Sequence, residues 1–153
     1  MRLTSQQVGY AGEHFVAAEI HRRGGYAVTF SGNMKGIDLL ASDADHVRKV
    51  SIQVKTKRRG DWHASIRDGR ERDENPDEDR FWVFVDLGDE QPTYRVAPAW
   101  WVENDIYHEH RRYLARHGGR RAVNPKSTHH RIQPSRIAEW LDCWDVIGIF
   151  PKS

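Results

Sequence analysis

Residues 36–57, GIDLLASDADHVRKVSIQVKTK, decide how this chain is read. They hold two short β-like runs, 37–41 and 49–57, joined by a polar turn region at 42–48. In the second run Val50, Ile52 and Val54 alternate with Ser51, Gln53, Lys55 and Lys57, the period-two pattern of a half-buried strand. One face therefore enters a core, and Gln53 and Lys55 project side by side from the other. Asp38 interrupts the apolar run Ile37-Asp38-Leu39-Leu40, where an unpaired carboxylate is costly to bury. A metal ion answers that cost. An Asp, a hairpin-sized gap and a polar-x-Lys pair on the next strand can hold a hard divalent cation and a reacting phosphate between two strands.

Working outward, the chain of 153 residues is expected to form one domain, 1–153, with a real core. The hydrophobic fraction is 38% and the charged fraction 30%, which implies a compact core under a heavily ionic surface. Net charge is only +2, yet residues 1–60 carry ten Lys and Arg against five acids, whereas 61–80 carry four against eight. A basic front with an acidic insert suits a protein that binds a polyanion. Cys143 stands alone, which excludes an internal disulfide and points to a reducing compartment. No apolar run reaches membrane-spanning length and the N-terminus lacks a signal-peptide apolar region, so the expectation is a cytoplasmic protein with no membrane partner.

Thr4 or Ser5 caps an expected helix that runs to about Arg23, where Gly24-Gly25 ends it. Val8, Ala11, Gly12, Phe15, Val16, Ala18 and Ile20 share one arc of that helix. Glu13 lies at the arc's edge, and periodicity leaves it equally a solvated glutamate or an inward acid. Glu19 falls near the middle and is read as a salt-bridge partner of Arg22 or Arg23. A strand at 26–30 and a turn-rich loop at 31–36 follow.

Asp38 together with Gln53-Val54-Lys55 resembles the motif of the PD-(D/E)XK nuclease superfamily, the fold of many restriction endonucleases and Holliday-junction resolvases. Gln53 replaces the usual acid, as in the Q-x-K of Mrr-type restriction enzymes, and offers a neutral carbonyl oxygen in place of a charge. The resemblance covers about residues 9–57. It includes Gly9-Tyr10-Ala11-Gly12-Glu13, which matches the glutamate of the family's first helix. It implies an α/β, restriction endonuclease-like core, a mixed central β-sheet flanked by helices. It also implies a nuclease that hydrolyses DNA phosphodiester bonds with Mg²⁺ or Mn²⁺. Asp38 would be the central ligand, Glu13 a direct or water-mediated one, Gln53 a carbonyl donor, and Lys55 the stabiliser of charge on the phosphate. With few carboxylates, one metal ion is expected rather than two. Two alternatives remain open: a non-cleaving nucleic-acid-binding module with the same fold, and a protein-interaction domain. A homodimer is also left open.

Beyond Lys57 the reading rests on residue chemistry. Lys57, Arg58 and Arg59 with Trp62 suggest phosphate contacts and a base-stacking ring, against the alternative of a solvated strand exit with Trp62 folded back on the core. The charged stretch at about 61–80 is expected to be flexible, because nothing apolar occurs between Ile66 and Phe81. Residues 81–87 read as a strand buried on both faces, 93–98 as its return, and 104–117 as a helix entered through a turn at 98–102. Residues 108–136 hold eight Lys and Arg, one Glu and five His; Arg120, Arg121, Lys126 and Arg131 are expected to line a nucleic-acid groove, with a solvated surface as the alternative. A zinc site among these histidines is not expected, since His108 and His110 lie on different helix faces and no cysteine pair accompanies them. A terminal helix opens at Pro134-Ser135, with Ile137, Trp140, Leu141 and Trp144 as its packing stripe.

Overall fold

The computed structural model describes residues 1–30 and 34–152. Helix α1, Ser5–Arg22, starts at a capping box: the Thr4 hydroxyl accepts the Gln7 N–H, and the Gln7 side chain accepts the Thr4 N–H. The chain turns at Gly24 (φ +95°) into β1, Tyr26–Thr29. β2 spans Leu39–Ser42, two residues later than its apolar run suggested, and β3 spans Lys49–Lys57 as its alternation required. Next come β4 (Trp62–Ser65), β5 (Arg80–Asp86), β6 (Thr93–Pro98), α2 (Ala99–Arg116) and β7 (His129–Ile132). The loop expected at 31–36 lies partly outside the described residues.

A five-stranded sheet runs in the order β1-β2-β3-β5-β6. All neighbours are antiparallel except β3 and β5, which pair in parallel with Gln53 opposite Trp82 and Lys55 opposite Phe84. Alternation on β5 divides the core. Phe81, Val83 and Val85 join Val50, Ile52 and Val54 beneath Val16 and Ile20 of α1. Trp82 and Phe84 face the other way, onto Val102 and Ile106 of α2 and Trp62 of β4. Burial of β5 on both faces is what its unbroken apolar run required.

Three expectations are corrected. The region at 61–80 is not a structureless excursion. It contains β4 and a 3-10 turn, Ile66–Asp68, and its charges close on two buried acids, Glu78 and Glu103. Arg70, Arg72 and Arg80 all reach Glu103, at 3.0, 2.7 and 2.9 Å. Charge organises this segment where apolar residues are lacking. Secondly, α2 begins at Ala99, so the expected turn is already helix. Thirdly, the terminal stripe is not one helix. Two 3-10 segments, Pro134–Trp140 and Trp144–Ile147, are separated by Asp142 at φ +52°. Ile137 packs with the α2-face cluster and Trp144 with the α1-face cluster, because the chain passes around the β6 edge between them. Leu141 bridges Arg95 there, which covers that strand's free edge. The strands β4 and β7, which pair with each other, were not anticipated at all.

Candidate active site

The site is assembled at a splay between β2 and β3. Asp38 sits just before β2, where its N–H still donates to the Ile52 carbonyl at 2.9 Å. Two residues further along β3, the Asp38 carboxylate takes over from the missing backbone partner: Oδ2 accepts the Val54 N–H at 2.7 Å. The sheet stops pairing here, and a carboxylate fills the gap.

α1 supplies the second acid. At Gly12 the helix comes so near β3 that a Cβ there would lie 1.8 Å from the Thr56 hydroxyl oxygen. This approach brings Glu13, the next residue, against Asp38. Burial pushes the Glu13 carboxyl up to about 7, and the charge of Asp38 and a hydrogen bond shared with it add to the shift. No arginine or lysine forms an ion pair with either acid among the described residues. Glu19, by contrast, is spent on Arg22 (2.8 Å) and Arg23 (2.9 Å), as its salt-bridge reading expected.

Gln53 and Lys55 share the opposite face of β3 from Val54. Gln53 lines a cavity of about 410 Å³ that also receives Lys35, Arg70 and Arg80, with Trp82 in its wall. The Lys55 ammonium lies 5.7 Å from the centre of the Trp82 ring and has no carboxylate partner among the described residues. Two acids without an ion-pair partner among the described residues thus lie at the strand gap, and Asp38 is tied to β3 through Val54, the residue between Gln53 and Lys55 in sequence.

The chain has a restriction endonuclease-like fold. Two solved structures are similar over nearly their whole length. A bacterial homing endonuclease, I-Ssp6803I, aligns with a TM-score of 0.54 and 14% identity, covering 95% of this chain and 92% of its own. Hjc, a Holliday junction resolvase from Archaeoglobus fulgidus, aligns with a TM-score of 0.53 and 14% identity, covering 94% and 98%. No family model and no curated protein matches the sequence.

In this restriction endonuclease-like fold the other nominated residues are placed unevenly. Trp62 is 1% exposed and its indole N–H donates to the Val85 carbonyl, so its ring has no face left for a base. The Lys57 side chain is 9% exposed, bound to Asp86 at 2.8 Å and lying over Trp62. Burial alone would raise Asp86, but the hydrogen bonds from Lys57 and the Gly88 N–H hold it below its ordinary value. Both residues therefore belong to the core-folded strand exit, not to a phosphate contact. Arg58 and Arg59 are exposed in the bend that follows. Arg121 and Arg131 line a second, larger cleft, while Arg120 and Lys126 lie exposed outside its lining. His63 also lines that cleft and was missed, because only the pairing of β4 with β7, His63 opposite Arg131, carries it there. Alternating burial at Trp62 and Ala64 was the available signal.

Proposed function

We propose that this chain is a divalent-metal-dependent nuclease that hydrolyses phosphodiester bonds in DNA. The observation that carries the reading is the Glu13–Asp38 pair, two adjacent carboxylates with no ion-pair partner among the described residues, tied to β3 at Val54 between Gln53 and Lys55. A hard divalent ion fits this donor set, because oxygen ligands and a closely spaced negative pair are what Mg²⁺ and Mn²⁺ take. When bound, it would supply Lewis acidity at the phosphate and a more acidic water.

In hydrolysis a water oxygen bonds to phosphorus, one bridging P–O bond breaks, and the departing oxygen gains a proton. Lys55 places positive charge beside the phosphate oxygens as negative charge builds on them. Glu13, whose carboxyl is raised to about 7 without a metal, gives up its proton to join Asp38 at the ion. That the similar structures are a homing endonuclease and a junction resolvase supports DNA as the substrate.

Titration calorimetry with Mn²⁺ tests the metal site. Millimolar-range binding is expected in the wild type and none in Asp38→Ala; equal affinity in both removes the site. The second reading, a binding module without chemistry, is favoured only by Gln53, and would show DNA binding without cleavage at any metal concentration.

A further inference from the structure

A cleft of about 480 Å³ lies apart from the proposed nuclease site. It lies between the second half of α2 and the β4–β7 ribbon, and shares no lining residue with the cavity at Gln53. Along α2, Glu103 of the Gln53 cavity and Tyr113 of this cleft are about 15 Å apart by helix rise. Its walls carry four imidazoles and three guanidiniums: His63 from β4, His129 and His130 from β7, His110 and Arg116 from α2, with Arg121 and Arg131.

Arg121 is held in place. It donates to the His129 carbonyl at 2.7 Å and lies over the Tyr113 ring, whose hydroxyl in turn accepts the Ala122 N–H. The buried Arg121 Nε has no hydrogen-bond partner. The single acidic lining residue, Glu109, is already engaged by Arg112 and Arg136. The cleft therefore gathers positive charge without neutralising it, in a volume typical of small-ligand sites.

We propose that this cleft is a second anion site whose ligand is a phosphate group of a nucleic-acid strand. The inference rests on the reading of the chain as a nucleic-acid enzyme, and extends it with a contact remote from the chemistry. Guanidinium donors and protonated imidazoles match phosphate oxygens, and a preformed group of them costs little ordering on binding.

Two of the imidazoles are held below their ordinary value in the cleft. His110 is lowered by burial and then by Arg121. His130 is lowered by burial and then by His110, Arg121 and Arg136, opposed only by Glu109. His63 meets His129 edge-on across the β4–β7 pair. A bound phosphate reverses this balance, so binding takes up protons.

The test uses Asp38→Ala protein without divalent metal and a 3′-labelled single-stranded 16-mer, with or without a 5′-phosphate, read by fluorescence anisotropy at constant salt. From pH 7.5 to 5.5 affinity is expected to rise about tenfold. The double substitution His110→Ala and His130→Ala should abolish most of that rise. Tighter binding of the 5′-phosphorylated strand identifies a terminal phosphate, and equal binding identifies a backbone phosphate. If the double variant loses its circular dichroism signature, Arg121→Gln is read instead, and must weaken binding at pH 5.5 by about tenfold. Affinity that ignores pH, or a pH response unchanged in the variants, overturns the proposal. Because the protein under test cannot cleave, this outcome is independent of the nuclease reading. A chain with proton-linked binding and no wild-type cleavage keeps the cleft and loses the enzyme, and the converse result keeps only the enzyme.

Discussion

Gly12 on α1 and Thr56 on β3 touch so closely that no side chain larger than hydrogen fits between them: a Cβ at Gly12 would stand 1.8 Å from Thr56 Oγ1 and 2.8 Å from Thr56 Cβ. The contact fixes how deeply α1 sits on the sheet, and so where Glu13 meets Asp38. Gly12→Ala should push the helix outward. Its net cost is about 1–3 kcal/mol of overpacking, only partly offset by alanine's better helix propensity, and Mn²⁺ affinity should fall with it. Gly9→Ala is the matched control, since nothing lies within 4 Å of a Cβ there, and it should be neutral or slightly stabilising. Thermal melts with a metal titration check both; equal behaviour of the two variants would contradict the packing argument.

Glu13 gives metal binding a pH dependence. Its folded value of about 7, raised by burial and by Asp38, lies above the ordinary 4.5. The carboxylate must lose a proton to bind a cation. Mn²⁺ affinity should therefore climb about tenfold per pH unit below 7 and level off above it. The sign for folding is opposite: a raised acid contributes stability that is complete below 4.5 and is lost as pH rises through 7. Calorimetry across pH 5.5–8 measures the first effect, and Glu13→Gln should flatten the profile.

Glu103 makes the charged segment sensitive to acid. Burial would raise its carboxyl, but hydrogen bonds from Arg72 and Arg80, with the charges of Arg80 and Arg70, hold it below its ordinary value. A depressed carboxyl contributes stability that is present above the unfolded value and lost as pH falls through the folded one. Denaturant midpoints should accordingly drop below about pH 4.5. Glu103→Gln should cost about 2 kcal/mol at neutral pH, less than a fully buried pair would, because Arg70 and Arg80 are substantially exposed. Hydrogen exchange should also quicken in the segment at 66–80. An unchanged midpoint would show that the network does not hold the segment.

What the sequence made legible was local. The alternation of β3, the capped α1 and the two-faced β5 each follow from patterns within ten to twenty residues, and Asp38 announced itself as a carboxylate inside an apolar run. The nearness of Glu13 to Asp38 was legible only through the resemblance to a known motif, because the Gly12–Thr56 approach that causes it joins residues 44 positions apart. β4 and β7, four residues each, carry too little periodicity to stand out, and their pairing is what folds Trp62 inward and brings His63 to the second cleft. The segment at 66–80 misled because its order comes from arginine–carboxylate geometry, which apolar patterning does not register.

The proposed hydrolytic site comprises Glu13, Asp38, Gln53 and Lys55. Its most direct test is cleavage of supercoiled, branched and single-stranded DNA by wild type, Asp38→Ala, Lys55→Ala and Gln53→Glu, purified identically and assayed with Mg²⁺ or Mn²⁺. Metal-dependent cleavage is expected of the wild type. The proposed site also implies losses of about a hundredfold or more in Asp38→Ala and Lys55→Ala, and retained or increased activity in Gln53→Glu, where a charged ligand replaces a neutral one. Cleavage that survives both Asp38→Ala and Lys55→Ala, or a wild type that binds Mn²⁺ yet cuts none of the substrates, would contradict it.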